Sequence, residues 1–274
     1  MHNLTRMRYE YSFRLLIAAV LLFLCFPANS VGSTSIQTGS QTPFQAELEA
    51  QRQRLSASDP EERRDALMRL GSMRRAEASR AALPGLSDAS PLVRAVAAKA
   101  ILSIGPDESA AALLPLASDK DEFVRREVAY ALGLSKSRNA TDTLSKLLLN
   151  DKEDGVRAAA AVALGDIGDE RAVVALAGVL APQLGQAQKK KEKNVFVLRS
   201  AAKSLGQIKS RAGVPALVSA LSNEKLEEDV RREAAYSLGL IGDVSAVPAL
   251  RAAANSGDPY LSQVSVQSLK KIAP

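Results

Sequence analysis

The stretches VRREVAYALG at residues 124–133 and VRREAAYSLG at residues 230–239 are nearly identical. Aligning the rest of the chain on them gives one register residue in each of seven units. These register residues are Arg63, Arg94, Arg125, Arg157, Leu198, Arg231 and Ser262. Successive register residues lie 31–33 residues apart, except for one interval of 41. A period of this length indicates a chain of stacked structural repeats.

Each unit is predicted to fold as two helices joined by a turn. In the first helix, apolar residues fall one before and three, four and seven after the register residue, which places them on one helical face. A second apolar helix is centred nineteen residues after the register residue. Glycines that suit left-handed helix ends are Gly105, Gly168 and Gly242. No stretch shows the alternation that is typical of a β-strand.

Residues 151–168 carry the repeated pattern most completely, as Asp-x-x-x-x-Val-Arg-x-x-Ala-x-x-Ala-Leu-Gly-x-Ile-Gly. This pattern resembles HEAT repeats, in particular the short form called PBS-lyase HEAT-like. The resemblance covers residues 59–274 and implies an all-α fold, an α-solenoid of about six to seven helical hairpins stacked into a superhelix. It says little about function, because one scaffold of this kind serves many tasks.

The first thirty residues have the composition of a secretory signal peptide. Three arginines precede an apolar run at residues 15–26, and small residues occupy the −3 and −1 positions of a cleavage site after Ser30. The run is shorter than the roughly 20 apolar residues that span a bilayer. We therefore expect residues 1–30 to be removed on export, and the protein to be periplasmic or secreted. The alternatives are an uncleaved anchor and a lipoprotein attached at Cys25, and the large Leu24 argues against the second.

Three further segments are predicted from their composition. Residues 31–43 are rich in Gly, Ser, Thr and Gln, which predicts a disordered linker. Apolar residues at helical spacing predict a capping helix over residues 44–57. A polar insertion loop at residues 183–194 explains the long interval, and its basic residues are Lys189, Lys190, Lys191 and Lys193. We expect a solvated loop, with an acidic partner or anionic lipid headgroups as the alternative contacts.

Composition excludes several kinds of chemistry. The only histidine and the only cysteine are His2 and Cys25, both in the predicted signal peptide, and the chain has no tryptophan. Beyond that segment there is no imidazole or thiol for catalysis or for a zinc site. The net charge is +6, but the excess lies in the signal peptide and the insertion loop, so no nucleic-acid partner is predicted. We also predict no cofactor and no metal.

Two enzyme families share the repeats that this chain resembles. Deoxyhypusine hydroxylases hold two irons with histidine–glutamate pairs, which have no matching positions here beyond the signal peptide. Phycobilin lyases attach pigments to antenna proteins, but none of their catalytic residues can be placed on this sequence, and a secretory signal is wrong for their compartment. The sequence therefore predicts a protein that is not an enzyme and has no catalytic residue.

The arginines at the register position fall on the buried face of the first helix and need partners for their guanidinium groups. Asp88, Asp119 and Asp151 each lie six residues before a register arginine. Because buried charges must be paired, we predict an arginine–aspartate ladder that ties successive repeats together. Its arginines are Arg63, Arg94, Arg125, Arg157 and Arg231. In this ladder Asp119 is the expected partner of Arg125, and ligand binding by the arginines is the alternative.

Two surfaces are candidates for binding a partner. In each second helix, the residues two before and two after the central position are predicted to point away from the core. Together they form a ridge, which the resemblance places on the concave side of the solenoid. Its candidate residues are Arg80, Ala111, Asp142, Lys146, Val174, Pro215 and Pro248, with Asp142 and Lys146 expected to pair. The small side chains suit a peptide or partner helix, or merely let adjacent helices pack tightly. Candidate contacts on the outer face are Arg126, Tyr130, Arg232 and Tyr236, with a plain solvated surface as the alternative.

The sequence as a whole predicts an exported, non-catalytic scaffold or adaptor that binds a protein or peptide on the solenoid surface. Membrane contact is expected only through the basic loop or an uncleaved leader. The alternatives are an enzyme or enzyme subunit of the lyase-like kind and a structural component of the cell envelope.

Overall fold

The computed structural model describes residues 42–181 and 193–272. The predicted signal peptide, and nearly all of the predicted linker and insertion loop, lie outside the described residues. Within the two described ranges every regular element is a helix, and no strand is present. The predicted all-α solenoid is therefore confirmed.

Fourteen helices follow one another in the described ranges, and after α1 (Pro43–Arg54) they alternate between first and second helices of the units. The first helices are α2 (Pro60–Ser72), α4 (Pro91–Ala100), α6 (Glu122–Ser135), α8 (Asp154–Ile167), α10 (Val195–Ile208), α12 (Glu228–Ile241) and α14 (Pro259–Ile272). The second helices are α3 (Ala76–Ala82), α5 (Pro106–Leu113), α7 (Thr141–Asn150), α9 (Val173–Leu180), α11 (Val214–Ser222) and α13 (Val247–Ala253). Short 3₁₀ turns extend the second helices at one end, for example Leu83–Ser87 after α3 and Glu170–Ala172 before α9.

The core repeats with the register predicted from the sequence. First helices bury the residue seven after the register position: Leu70, Ile101, Leu132, Leu164, Leu205 and Leu238. Second helices bury their central residue: Ala82, Leu113, Leu144, Leu176, Leu217 and Leu250. Each first helix packs against the first helix of the next unit, and from the second unit onward also against the second helix of the preceding unit. Burying a leucine stabilises the fold by about 1.5–3 kcal/mol, and only the stack buries both faces of a unit.

Helix α1 packs against α2 and α3 at the start of the repeats. Its Leu48 is buried, and the Arg75 guanidinium lies 4.3 Å from the centre of the Phe44 ring. This cation–π contact joins α1 to the turn between α2 and α3.

The residue eleven after the register position has a positive φ in every complete unit. Glycine occupies it at Gly105 (φ 111°), Gly168 (φ 73°) and Gly242 (φ 75°), as predicted, although Gly105 lies outside the left-handed helical region. In the other three units the position is held by Arg74 (φ 50°), Lys136 (φ 60°) and Lys209 (φ 59°). A side chain at such a position costs about 1–2 kcal/mol, because its Cβ crowds the following carbonyl.

Replacing Lys209 with glycine is therefore expected to raise the free energy of unfolding by about 0.5–1 kcal/mol, after the greater freedom of glycine in the unfolded chain is subtracted. Urea unfolding measures the change. Gly168→Ala, at the equivalent turn, is the control and should lower stability by a similar amount. A Lys209→Gly protein less stable than the parent would contradict this account of the turn.

Candidate functional site

The predicted ladder is present, and its carboxylate bonds run from one unit to the next. Arg125 Nε and Nη2 donate to the two carboxylate oxygens of Asp151 at 2.7 and 3.0 Å. Arg94 binds Asp119 in the same two-pronged way at 2.8 and 2.8 Å, and Arg63 binds Asp88 at 2.7 and 2.8 Å. Only 9% of the Arg125 side chain and 6% of the Asp151 side chain are exposed. These bidentate guanidinium–carboxylate pairs join the first four units to one another.

The partner predicted for Arg125 was wrong in one respect. The six-residue spacing pairs the arginine with the backbone carbonyl of the preceding aspartate, since Arg125 Nη1 donates to the Asp119 carbonyl oxygen at 2.9 Å. The Asp119 carboxylate is already taken by Arg94. Each guanidinium therefore spans a loop of its own unit and the carboxylate of the following unit, so the unpaired group after loss of Arg125 is Asp151.

The last predicted members of the ladder differ from the first three. Arg157 binds Asp154 within its own helix and donates to the Asp151 carbonyl oxygen at 3.0 Å. Arg231 Nε donates to the Leu221 carbonyl oxygen at 3.1 Å. The sequence has no aspartate between residues 169 and 229, and among the described residues the next two-pronged bond from one unit to the following one joins Arg232 to Asp258.

The ladder aspartates are more acidic than ordinary aspartates. Burial alone would raise the pKa of Asp151, but the hydrogen bonds from Arg125 and from the Glu153 backbone N–H outweigh it, and the net shift is downward. The pKa of Asp119 falls for the same reasons, through Arg94 and the Asp121 backbone N–H. Arg63 lowers the pKa of Asp88, with burial as the opposing influence.

These shifts predict how stability depends on pH. A carboxylate whose pKa is lower in the folded than in the unfolded chain contributes its stabilisation above the unfolded value of 3.8, and loses it as the pH falls through the lower folded value. The free energy of unfolding should therefore be nearly constant from pH 7 to about pH 5, and fall steeply below about pH 4. Urea titrations across this range measure it. The double variant Arg125→Met/Asp151→Leu should show a shallower fall, and an equal fall would remove this pair as a cause.

The structure places all seven predicted ridge residues at the surface of the second helices or of the turns that begin them. Arg80, Ala111, Asp142, Lys146, Val174, Pro215 and Pro248 are each exposed. Their neighbours in the same helices, such as Leu144 and Leu176, are buried. We call these seven residues the second-helix ridge.

Charges on the second-helix ridge pair between units. Arg80 Nη2 lies 3.0 Å from Glu108 Oε2 of the next unit. The predicted pair within α7 was wrong, because Asp142 Oδ1 instead lies 3.3 Å from Arg171 Nη1. Arg171 reaches this position because its Nε and Nη2 also bind the Asp169 carboxylate. The ridge therefore joins neighbouring units through ion pairs at Arg80 and Asp142.

The predicted outer-face contacts are engaged with their own chain. Arg232 donates to both carboxylate oxygens of Asp258, at 2.8 and 3.0 Å, and this holds α12 to the start of α14. Lys271 Nζ lies 5.0 Å from the centre of the Tyr236 ring. The Arg126 guanidinium lies 5.1 Å from the Phe123 ring, and Tyr130 is half-buried against the core. These contacts leave Tyr236 as the most exposed of the four candidates.

Of the basic loop, Lys193 alone falls within the described residues, and it is exposed. Lys189, Lys190 and Lys191 lie outside them. In the described ranges no helix has both the length and the apolar character needed to cross a membrane. Nor do these ranges contain a cluster of three or more side chains of the types that hold metal ions.

Comparison with known families agrees with the repeat geometry. The model for HEAT repeats matches residues 48–133, 113–188 and 181–270, which together span nearly the whole repeat region. The chain belongs to the HEAT repeat family. No curated protein sequence matches this HEAT repeat chain significantly.

Solved structures resemble the HEAT repeat chain over most of its length. YibA from Escherichia coli has 20% sequence identity and a TM-score of 0.59, with 83% of this chain and 81% of that chain covered. The complex of CpcE and CpcF of phycocyanin lyase from Nostoc has 23% identity and a TM-score of 0.51, with 90% of this chain and 94% of that chain covered. At these identities the likeness shows a shared fold.

A second set of bonds between HEAT units was not predicted from the sequence. The Thr141 hydroxyl donates to the Asp169 carboxylate at 3.0 Å, and the Ser137 hydroxyl donates to Asp107 at 2.6 Å. Each bond joins the first turn of one second helix to the turn that precedes the second helix of the next unit. The signal was present, because a polar residue begins these turns in several units, but it also fits a simple helix cap. Asp169 has both roles: its carboxylate accepts the bond from Thr141, and it also caps its own turn by accepting from the Arg171 backbone N–H at 3.1 Å.

Proposed function

We propose that the chain is an exported, non-catalytic scaffold or adaptor that binds a protein or peptide partner on the second-helix ridge. The observation that carries the proposal is the continuous exposure of this ridge across all six complete units, on helices fixed by a buried core. HEAT repeats commonly mediate protein–protein interaction, which supports the same class of function.

The composition of the ridge favours binding by a pre-formed shape. Ala111, Pro215 and Pro248 have no rotatable side chain to immobilise, so a partner that covers them loses little side-chain entropy. Val174, which is 70% exposed, offers an apolar contact between them. The ion pair of Asp142 with Arg171 neutralises charge at this part of the ridge. An occupant with small or apolar side chains therefore fits better than a strongly charged one.

Site-specific cross-linking in intact cells tests the proposal. A photo-reactive amino acid placed at Ala111 or Val174 is expected to cross-link one defined protein. Val244 is the matched control, because it is also 70% exposed but lies in the turn before α13, off the ridge. Equal cross-linking from Val174 and Val244, or no cross-link from any ridge position, would contradict a ridge-bound partner.

Export and the absence of catalysis are tested separately. The mature protein is expected in the periplasm or medium, with Val31 as its first residue. Purified protein should contain no stoichiometric metal and no visible absorbance band. A stoichiometric iron or a bound chromophore would favour the lyase-like alternative, and concentration-dependent polymers in sedimentation would favour a structural envelope component.

A further inference from the structure

A groove on the opposite helix layer crosses the first helices of the first three units. Its volume is about 510 Å³. We call it the first-helix groove, and the residues that define it are Met68, Gly71, Arg74, Ala95, Val96 and Phe123. Met68 is 56% exposed at its edge, and buried Leu67 forms part of its floor.

Over the groove the second unit carries shorter side chains than the third and sixth units, as the fourth unit also does with Ala158 and Ala159. At the two positions after the register residue, the third and sixth units have Arg126–Glu127 and Arg232–Glu233. The second unit has Ala95–Val96 there. In the third unit the long side chains cover this strip, with Arg126 near the Phe123 ring and Glu127 bound to Lys99 at 2.6 Å. The smaller apolar residues of the second unit leave this strip accessible and apolar.

The surface around the groove carries an excess of positive charge. Its nearby carboxylates are already paired, Asp65 with Arg64 at 3.1 Å and Glu127 with Lys99. Arg74 lines the groove, and Arg69 lines an adjoining recess that shares Met68 and Ser72 with it. Among the described residues neither Arg69 nor Arg74 has an ion-pair partner. An acidic occupant would satisfy both guanidinium groups, whereas a basic one would be repelled.

The size of the groove favours a helix over a single side chain. Packed helices lie about 8–10 Å apart, so a groove across three of them is roughly 16–20 Å long. A helix of roughly 11–13 residues has that length, at about 1.5 Å per residue. Helices bind such grooves through apolar residues at i, i+3, i+4 and i+7.

We infer that the first-helix groove binds an acidic amphipathic helix of a partner protein, with the apolar face of that helix on Met68, Val96 and Phe123 and its carboxylates on Arg69 and Arg74. The inference deepens the proposed scaffold function and rests on it, since it adds a second docking surface and states the chemistry of its occupant. The second-helix ridge and the first-helix groove lie on different helix layers, so one partner segment on each is sterically compatible.

Fluorescence anisotropy with synthetic peptides tests the inference on the purified full-length mature chain. Three 14-residue peptides share Leu and Phe at i, i+3, i+4 and i+7, and carry Glu, Gln or Lys at the other positions. The Glu peptide is expected to bind at least tenfold more tightly than the Lys peptide at physiological salt. Met68→Glu should weaken its binding at least tenfold, and Arg74→Glu about fivefold or more.

Matched controls separate the groove from general effects. Leu134→Glu replaces an apolar residue that is also 56% exposed on a first helix, and Lys209→Glu replaces a cation at the same turn position as Arg74. Both should change the affinity less than twofold, and melting curves check that all four variants are folded.

Several results would overturn the inference. These are no binding by the Glu peptide, equal binding by the Lys peptide, and insensitivity to Met68→Glu. Dimerisation of the chain that Met68→Glu abolishes would identify a second copy as the occupant instead. Binding to vesicles of anionic phospholipid that Met68→Glu abolishes, without peptide binding, would identify a membrane. Ridge cross-linking at Ala111 and Val174 is independent of these outcomes, so failure of the groove and failure of the scaffold proposal are distinguishable.

Discussion

Arg125→Ala is expected to lower the free energy of unfolding by about 3 kcal/mol, because it leaves the Asp151 carboxylate buried without its guanidinium partner. The loss combines two hydrogen bonds to that carboxylate with the bond to the Asp119 carbonyl oxygen. Urea unfolding at pH 7 measures it, and circular dichroism at 222 nm reports the helices.

Two further variants identify the cause of that loss. Arg231→Ala removes an arginine at the same register position, whose bond goes to the Leu221 carbonyl oxygen, and should cost only about 1 kcal/mol. Arg125→Met/Asp151→Leu removes both charges and should recover most of the stability, since apolar pairs often replace buried ion pairs without loss. An Arg125→Ala protein with an unchanged unfolding midpoint would show that the ladder does not stabilise the fold.

Gly133→Val is expected to destabilise the protein by about 3 kcal/mol through overpacking. A Cβ at Gly133 would lie 2.7 Å from Ala163 Cα on the next first helix, which is closer than nonbonded carbon atoms approach. Since the contacted atom belongs to the backbone, no side-chain rotation relieves the clash, and α6 and α8 must separate. Thermal unfolding followed by circular dichroism should show a lower midpoint.

Gly155→Ala is the control for this variant. Its Cβ would meet Arg126 Cδ at an ordinary 3.6 Å, so the substitution should cause no loss and a gain of up to about 1 kcal/mol from reduced backbone freedom. If Gly133→Val were as stable as Gly155→Ala, close backbone approach would not set the spacing of the first helices.

Periodicity was sufficient to predict the helices and the core of this protein. Leu70 and Leu132 occupy equivalent buried places because each falls seven residues after a register arginine, and a helical period then fixes the face. The aspartates of the ladder were also identifiable, because Asp88, Asp119 and Asp151 recur with the arginines. Repetition converts a weak local signal into a strong one.

Contacts between units were less predictable, because sequence spacing alone does not say which unit supplies a partner. Asp119 lies six residues from Arg125 but binds Arg94, which is twenty-five residues away. Asp142 likewise binds Arg171 of the next unit instead of Lys146 one helical turn along. The first-helix groove was missed for a related reason: Val96 looks like an ordinary core residue until the packed neighbours show that it stays partly exposed.

The fifth unit has leucine, Leu198, where five of the other six units have the register arginine, and it follows the longest interval between units. In a repeat array, the stability of each interface between neighbouring units determines where local unfolding begins. Amide hydrogens of α10 and α11 are therefore expected to exchange with solvent faster than those of α6 and α7. A partner that touches Pro215 would slow that exchange, whereas one confined to Ala111 would not, so deuterium uptake would reveal how far along the array a bound protein extends.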